Sequence, residues 1–222
     1  MEEQIIYLSS AYLAPVEYYT KLYSCPNVCI ERYDHYLKQT YRNRCVIASA
    51  SGMLTLSVPT EKPDTLKCLM KDVRISDHGN WRHLHWNAIE SAYSSTPFFE
   101  YYQDDFRPFY EQKYVFLFDF NQQLCELICN LLDIQLSMIP TVEYKQHFAP
   151  FEQDFRELIH PKKDYKSLDS SFSPASYYQV FEHRFGFLPN LSIIDLLFNM
   201  GPESLLILKR SVRNCLEDAK II

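Results

Sequence analysis

Apolar positions come in short, strand-length runs near the start of the chain and at helical spacing further on. Ile5-Ile6-Tyr7-Leu8 reads as a buried strand, and Ser9-Ser10 as the polar loop that follows it. Pro15 suits a first helical turn, and Val16, Tyr19, Leu22 and Tyr23 then recur at helical spacing. Asn27 precedes a second strand over Val28–Ile30, which makes strand, helix, strand, the opening of a parallel α/β sheet. Cys45-Val46-Ile47-Ala48, a turn at residues 49–52, and the alternation of Leu54, Leu56 and Val58 with Thr55 and Ser57 predict a β-hairpin ended by Pro59. Residues 62–65 read as a surface loop and Val73-Arg74-Ile75 as another short strand.

Helices dominate after that. Trp81, Leu84, His85, Ala88, Ile89 and Ala92 mark one helical face. Thr96-Pro97 reads as a cap and first turn, and Pro108 as the kink or end of that helix. Asp119 and Gln122 resemble a capping box ahead of Leu124, Leu127, Ile128, Leu131 and Leu132. Residues 145–176, with Pro150, Pro161 and Pro174, read as a loop-rich stretch or lid. Ser192 and Asp195 read as caps of a helix through Ile194, Leu197 and Phe198, which Gly201-Pro202 stops, and a last helix runs through Leu205, Leu208 and Val212. The expectation is a single α/β domain over 1–222. Residues 1–78 would be mainly β with one helix and carry a small mixed or mainly parallel sheet. Residues 79–144 and 177–222 would be helical.

Composition narrows the chemistry. The chain has 222 residues, 47% of them hydrophobic, enough to bury a real core. Seventeen tyrosines against two tryptophans imply many hydroxyls that need partners when buried. Only four glycines occur, where average usage gives roughly 15. No glycine-rich phosphate cradle exists, so a bound phosphate must be held by side chains or a helix N-terminus. A net charge of −6 argues against general nucleic-acid binding. The seven cysteines include no Cys-x-x-Cys, the start Met1-Glu2-Glu3-Gln4 lacks a leader pattern, and no apolar run reaches membrane-span length. A reduced, cytoplasmic chain with free thiols and no metal site is expected.

One cluster stands out. Lys38-Gln39-Thr40-Tyr41-Arg42-Asn43-Arg44 packs cations, amides and hydroxyls between two apolar runs. In an extended stretch Arg42 and Arg44 would share a face and could clamp a phosphate or carboxylate; the plainer alternative pairs Arg with Glu31 or Asp34 on a solvated edge. His85 lies on the apolar stripe and reads as a core histidine, with a general-base role as the sharper alternative. His83 and His85 stand about 200° apart on a helix and cannot chelate one metal. Asp105, beside Asp104, reads as part of a solvated face unless it folds toward Arg44. Cys25/Cys29 and Cys125/Cys129 read as packing.

Gln39-Thr40-Tyr41-Arg42-Asn43-Arg44 before an apolar strand, then Gly52 and Leu56-Ser57-Val58-Pro59, resembles the WbqC-like protein family. Ser9-x-x-Tyr12-x-x-Pro15-x-x-Tyr18-Tyr19-x-Lys21-Leu22 is similar to its opening loop and helix. Trp81, His85-Trp86, Ile89, Tyr93, Pro97-Phe98-Phe99, Asp119-Phe120-Asn121 and residues 190–202 are similar to its later parts. Many relatives open that loop with Gln-Pro, where this chain has Ser9-Ser10. Some members are encoded in O-antigen or polysaccharide clusters, and a glycine- or aminoacyl-transferase role has been proposed for relatives, without agreed catalytic residues. The resemblance implies a transferase that binds an anionic activated substrate, aminoacyl, acyl or nucleotide-sugar, in glycan modification. On that reading Tyr12, Lys38, Gln39, Tyr41, Arg42, Asn43 and Arg44 contact substrate, His85 and Asp105 are the catalytic candidates, and no cofactor is evident beyond a nucleotide-linked substrate. The opening strand, loop, helix and strand also resemble nucleotidylyltransferase-like folds, without their paired histidines. A non-catalytic binding or scaffold protein with an aromatic-lined groove is the alternative, because Tyr and Arg favour interfaces.

Overall fold

The structure, a computed structural model, describes residues 4–62, 67–135 and 137–213. Met1–Glu3, part of the 62–65 loop and Cys215 lie outside the described residues.

Ile6 and Leu8 bury both faces of β1 (Ile5–Ser9) with their neighbours, as expected of a strand with strands on either side. The chain then forms α1 (Val16–Ser24) and returns as β2 (Asn27–Glu31), parallel to β1 with Ile5 opposite Asn27 and Ser9 opposite Glu31. Two short strands complete the sheet. β5 (Ser137–Pro140) lies beside β2, and β6 (Glu152–Asp154) beside β1. The order β5-β2-β1-β6 is parallel throughout, so all four carboxyl ends share one edge. β6 falls in the stretch expected to be loop-rich; its Glu-Gln-Asp sequence carries no strand signature.

α1 is buried on every side from Val16 to Leu22, including Glu17 and Lys21, because the sheet lies on one side and α7 (Ile193–Met200) and α8 (Ser204–Ser211) on the other. A separate antiparallel ribbon, β3 (Arg44–Ser49) and β4 (Gly52–Ser57), is the expected hairpin, with Gly52 at φ +110° closing the turn. α2 (Trp81–Tyr93) packs on β3, α3 (Phe99–Glu111) on α2, and α4 (Leu117–Leu131) on a 3-10 turn at Met70–Asp72. Two one-turn helices, α5 (Tyr165–Leu168) and α6 (Glu182–Phe185), punctuate the later loops. One contiguous hydrophobic core runs from Ile6 to Leu208.

Several local expectations are corrected. Arg74 and Ile75 make only isolated bridges, to Phe116 and Thr60, rather than a strand. α4 starts two residues before Asp119 and carries no side-chain cap. α3 starts at Phe99, while Thr96 Oγ1 turns back to donate to the Tyr93 carbonyl at 2.6 Å. Ser192 precedes α7, but its hydroxyl donates to the Leu13 carbonyl at 2.7 Å. Asp195 accepts from Tyr93 Oη at 3.0 Å, Tyr177 Oη at 2.7 Å and Gln179 Nε2 at 2.9 Å. At Ser192 and Asp195 partners distant in sequence outcompete the local cap. They also place many of the tyrosines: the hydroxyls are satisfied inside the core, not in a groove.

Candidate functional site

In an open parallel sheet the carboxyl edge, where neighbouring connections depart in opposite directions, leaves a crevice for ligands. Here that point lies between β1 and β6. β1 ends at Ser9, and the loop to α1 is pinned from both sides. Tyr12 N–H donates to the Tyr41 carbonyl at 2.8 Å, and the Ile193 N–H to the Ala14 carbonyl at 2.9 Å. Leu13 is held at φ +41°, a conformation that costs a leucine on the order of 1–3 kcal/mol.

Around this edge charged side chains are buried together. Arg42, 3% exposed, donates from Nε to Asp34 Oδ2 at 3.0 Å, from Nη2 to the same oxygen, to Ser9 Oγ at 2.9 Å and to Glu157 Oε1 at 2.8 Å. Ser9 Oγ in turn donates to the Arg156 carbonyl at 2.9 Å. Arg156 Nη1 donates to Glu31 Oε2 at 2.7 Å, and its Nε and Nη2 hold Asp154. Glu31 is fully buried, its other oxygen accepting from Tyr33 N–H and Thr141 Oγ1. Asn121 Nδ2 ties Ser10 Oγ, at 3.0 Å, to the Arg42 carbonyl, at 2.8 Å. A small, partly open pocket of about 10 Å³, room for one water or one hydroxyl or amino group, sits between Ser9, Ser10, Thr40, Arg42 and Phe155.

The balance of charge runs against an anion. Two buried guanidinium groups face four carboxylates, of which Glu31 and Asp34 are buried and Asp154 and Glu157 reach solvent, so neither guanidinium is left for an anion. Burial lifts the Asp34 carboxyl above its usual range, with Glu31 and Glu157 adding to the shift and Arg42 opposing it. Asp34 Oδ1 and Asn121 Oδ1 are buried and have no partner among the described residues. The unmet groups are acceptors, so the chemistry they would satisfy is a donor: a hydroxyl or an amino group.

The predicted site residues scatter around this cluster. The stretch at residues 38–43 is a turn, not a strand, so Arg42 and Arg44 share no face; only Arg44 enters β3. Arg42 is saturated by Asp34, the partner that the plainer alternative named. Arg44 Nε is buried and unpartnered. Lys38 is exposed, and Gln39, at φ +62°, accepts from Lys162 Nζ at 2.5 Å. Asn43 is spent on the ribbon, donating to the Val58 carbonyl at 3.0 Å. Tyr41 lines the cavity. Tyr12 belongs to the core instead: its hydroxyl lies 2.9 Å from His85 Nδ1 and 2.8 Å from Tyr110 Oη. Burial pushes the imidazole of His85 down to about 4, against a bond to the Ser57 backbone, so the ring is neutral and enclosed rather than poised as a base. Asp105 is exposed on α3 and makes no ion pair with Arg44 among the described residues.

Sequence reasoning missed Arg156, Glu157 and Glu17. Behind the cavity wall Glu17 is 2% exposed, with Oε2 accepting from Asn190 Nδ2 at 3.0 Å and Oε1 unpartnered. Burial, then the nearby Asp169, raises its carboxyl to about 7 against the pull of Asn190 and Lys21. Lys21, buried, pairs with Asp169 and donates to Ser171 Oγ at 2.7 Å. A charged pair at i and i+4 on a helix otherwise apolar all round was the available signal. Among the described residues, no group of His, Cys, Asp and Glu is placed to hold a metal, and no helix is long and apolar enough to cross a membrane.

The profile of the WbqC-like protein family matches residues 10–156, which covers the loop after β1, α1, β2, the ribbon, α2 to α4, β5 and β6. Rv1507c, an uncharacterised protein of Mycobacterium tuberculosis, is 26% identical over 189 residues, covering 76% of this chain and 81% of the relative. No solved structure matches.

Proposed function

This chain belongs to the WbqC-like protein family, and we propose that it is a transferase whose acceptor is a small molecule bearing hydroxyl or amino groups, such as a glycan unit. The acceptor docks at the carboxyl ends of β1 and β6, beside Ser9, Ser10, Asp34 and Arg42. The observation that carries this reading is the pair of buried, unpartnered acceptor oxygens at that edge, Asp34 Oδ1 and Asn121 Oδ1. Buried ion pairs rarely stabilise a fold beyond what apolar packing would give, so their concentration around one polar cavity favours a binding role. Asp34, with its raised carboxyl, is the group suited to take the acceptor's proton as the oxygen or nitrogen attacks an acyl or aminoacyl carbonyl, the new bond forming as the bond from that carbonyl to the donor's activating group breaks and the activating group leaves with its electron pair. The activated donor, nucleotide-linked or otherwise, is the anionic partner; no cofactor enters the proposal.

The test is a thermal-shift panel of amino sugars, amino acids and nucleotide-sugars against the parent chain and Asp34→Asn. An acceptor that raises the parent Tm by mass action, but not that of a folded Asp34→Asn, supports the reading. A panel in which nothing raises Tm overturns it. A binding or scaffold role is favoured by a different feature, the exposed Ile139, Val142 and Tyr144 along the β5 edge. Binding without turnover in the presence of acyl or aminoacyl donors would assign that role.

A further inference from the structure

A cluster of positive charge lies away from the sheet edge, between the start of α2 and the end of α3. A cleft of about 310 Å³ opens there, against about 10 Å³ at the β1 edge. Arg82, Arg107 and Lys113 line it with Glu111 as the one carboxylate, in a chain whose net charge is −6. Trp86 and Tyr110, both buried, form its apolar floor.

Two of these cations are under-neutralised, whereas Arg107 has Glu90 and Asp104 close by as well as Glu111. Arg82 Nη1 and Lys113 Nζ share a single carboxylate, that of Asp77, at 2.7 Å each. Arg107 Nε pairs with Glu111 at 2.8 Å. The Arg82 side chain is only 13% exposed, its guanidinium stacks 4.8 Å above the Trp81 ring, and its Nε and Nη2 have no partner among the described residues. A guanidinium withdrawn this far from water, with half a carboxylate for compensation, gains from a further anion. We infer that this cleft binds a compact oxyanion, the phosphate or carboxylate group of a small molecule, at a site separate from the sheet edge. Lys113 and Arg107, both exposed at the rim, take the anion's oxygens, Arg82 adds its charge from beneath, and Asp77 competes with the ligand for Lys113 and Arg82.

Both tryptophans of the chain touch this arrangement, Trp86 in the wall and Trp81 beneath Arg82, so intrinsic fluorescence reads occupancy directly. The experiment titrates the full chain with inorganic phosphate, pyrophosphate and citrate at matched ionic strength. A saturable change with at least one of the three is expected. Arg82→Gln lowers its affinity about tenfold, and Asp77→Asn raises it about threefold by removing the competitor. Lys113, 76% exposed, is replaced by Gln with no consequence for folding, and Lys113→Gln weakens binding even if Arg82→Gln fails to fold. The absence of a saturable signal, an affinity indifferent to Lys113→Gln, or weaker binding in Asp77→Asn overturns the inference. Ser10→Ala at the sheet edge leaves the titration unchanged, which separates this site from the acceptor site.

Discussion

Arg42 and Asp34 meet eight positions apart in sequence with both Nε and Nη2 of the guanidinium on one carboxylate oxygen, and both side chains are buried. The pair turns a polar turn inward and fixes the floor of the cavity. Arg42→Met leaves Asp34 charged and alone in the interior, at a cost of about 3–5 kcal/mol. The double variant Asp34→Leu/Arg42→Met removes both charges and recovers part of that loss. Urea unfolding of the three proteins measures the coupling; a double variant less stable than the single one contradicts this account.

Glu17 makes stability fall as pH rises. Its carboxyl holds a proton more tightly when folded, at about 7, than at its ordinary 4.5, so the contribution is complete below 4.5 and is lost as pH climbs to 7. Glu17→Gln keeps the shape and one bond to Asn190 while removing the titration. Above pH 7 the variant should be more stable than the parent by roughly 2 kcal/mol, and equal or less stable near pH 4. Thermal melts across that range check the crossing.

His85 acts with the opposite sign. Folding lowers its imidazole to about 4 from 6.5, so its contribution is present above 6.5 and is lost as pH falls toward 4. The two slopes oppose each other between about pH 4.5 and 6.5, and the parent's stability should be nearly flat there. In Glu17→Gln the His85 slope is uncovered, and stability rises with pH. An imidazole resonance of His85 that moves near pH 6.5 in an NMR titration would falsify the enclosed, neutral ring.

Gly201 ends α7 at φ +53°, and a Cβ placed there would fall on the Phe98 ring. Gly201→Ala combines backbone strain with overpacking, so a loss of about 2 kcal/mol or more is expected. Differential scanning calorimetry reads it as a lower Tm; an unchanged Tm means that the Phe98 ring gives way freely.

Much of the fold was legible because its signals are local. The β1, α1, β2 opening, the β3–β4 hairpin and the amphipathic α2 follow from spacing alone. The edge strands did not, since three or four residues such as Glu152-Gln153-Asp154 become a strand only by pairing with β1. The site was half legible. Arg42 and Asp34 lie close in sequence, and their pairing was one of two readings. Arg156 meets Glu31 across 125 positions, and nothing near either residue announces the other. The family resemblance places Tyr12 at the substrate, but its ring turns inward to His85 and Tyr110. The helix cap misread at Ser192 shows the same limit: a cap is a local pattern, and here the distant Leu13 carbonyl took the side chain.

β6 gives the sheet a temporal consequence. Tyr7 bonds Glu152 at 2.9 Å across 145 positions, so one side of β1 has no partner until most of the polypeptide has left the ribosome. Pairings of such separation slow folding and leave an open strand edge exposed to other nascent chains. β1 is made well before its last partner and is among the last strands of the sheet to be enclosed.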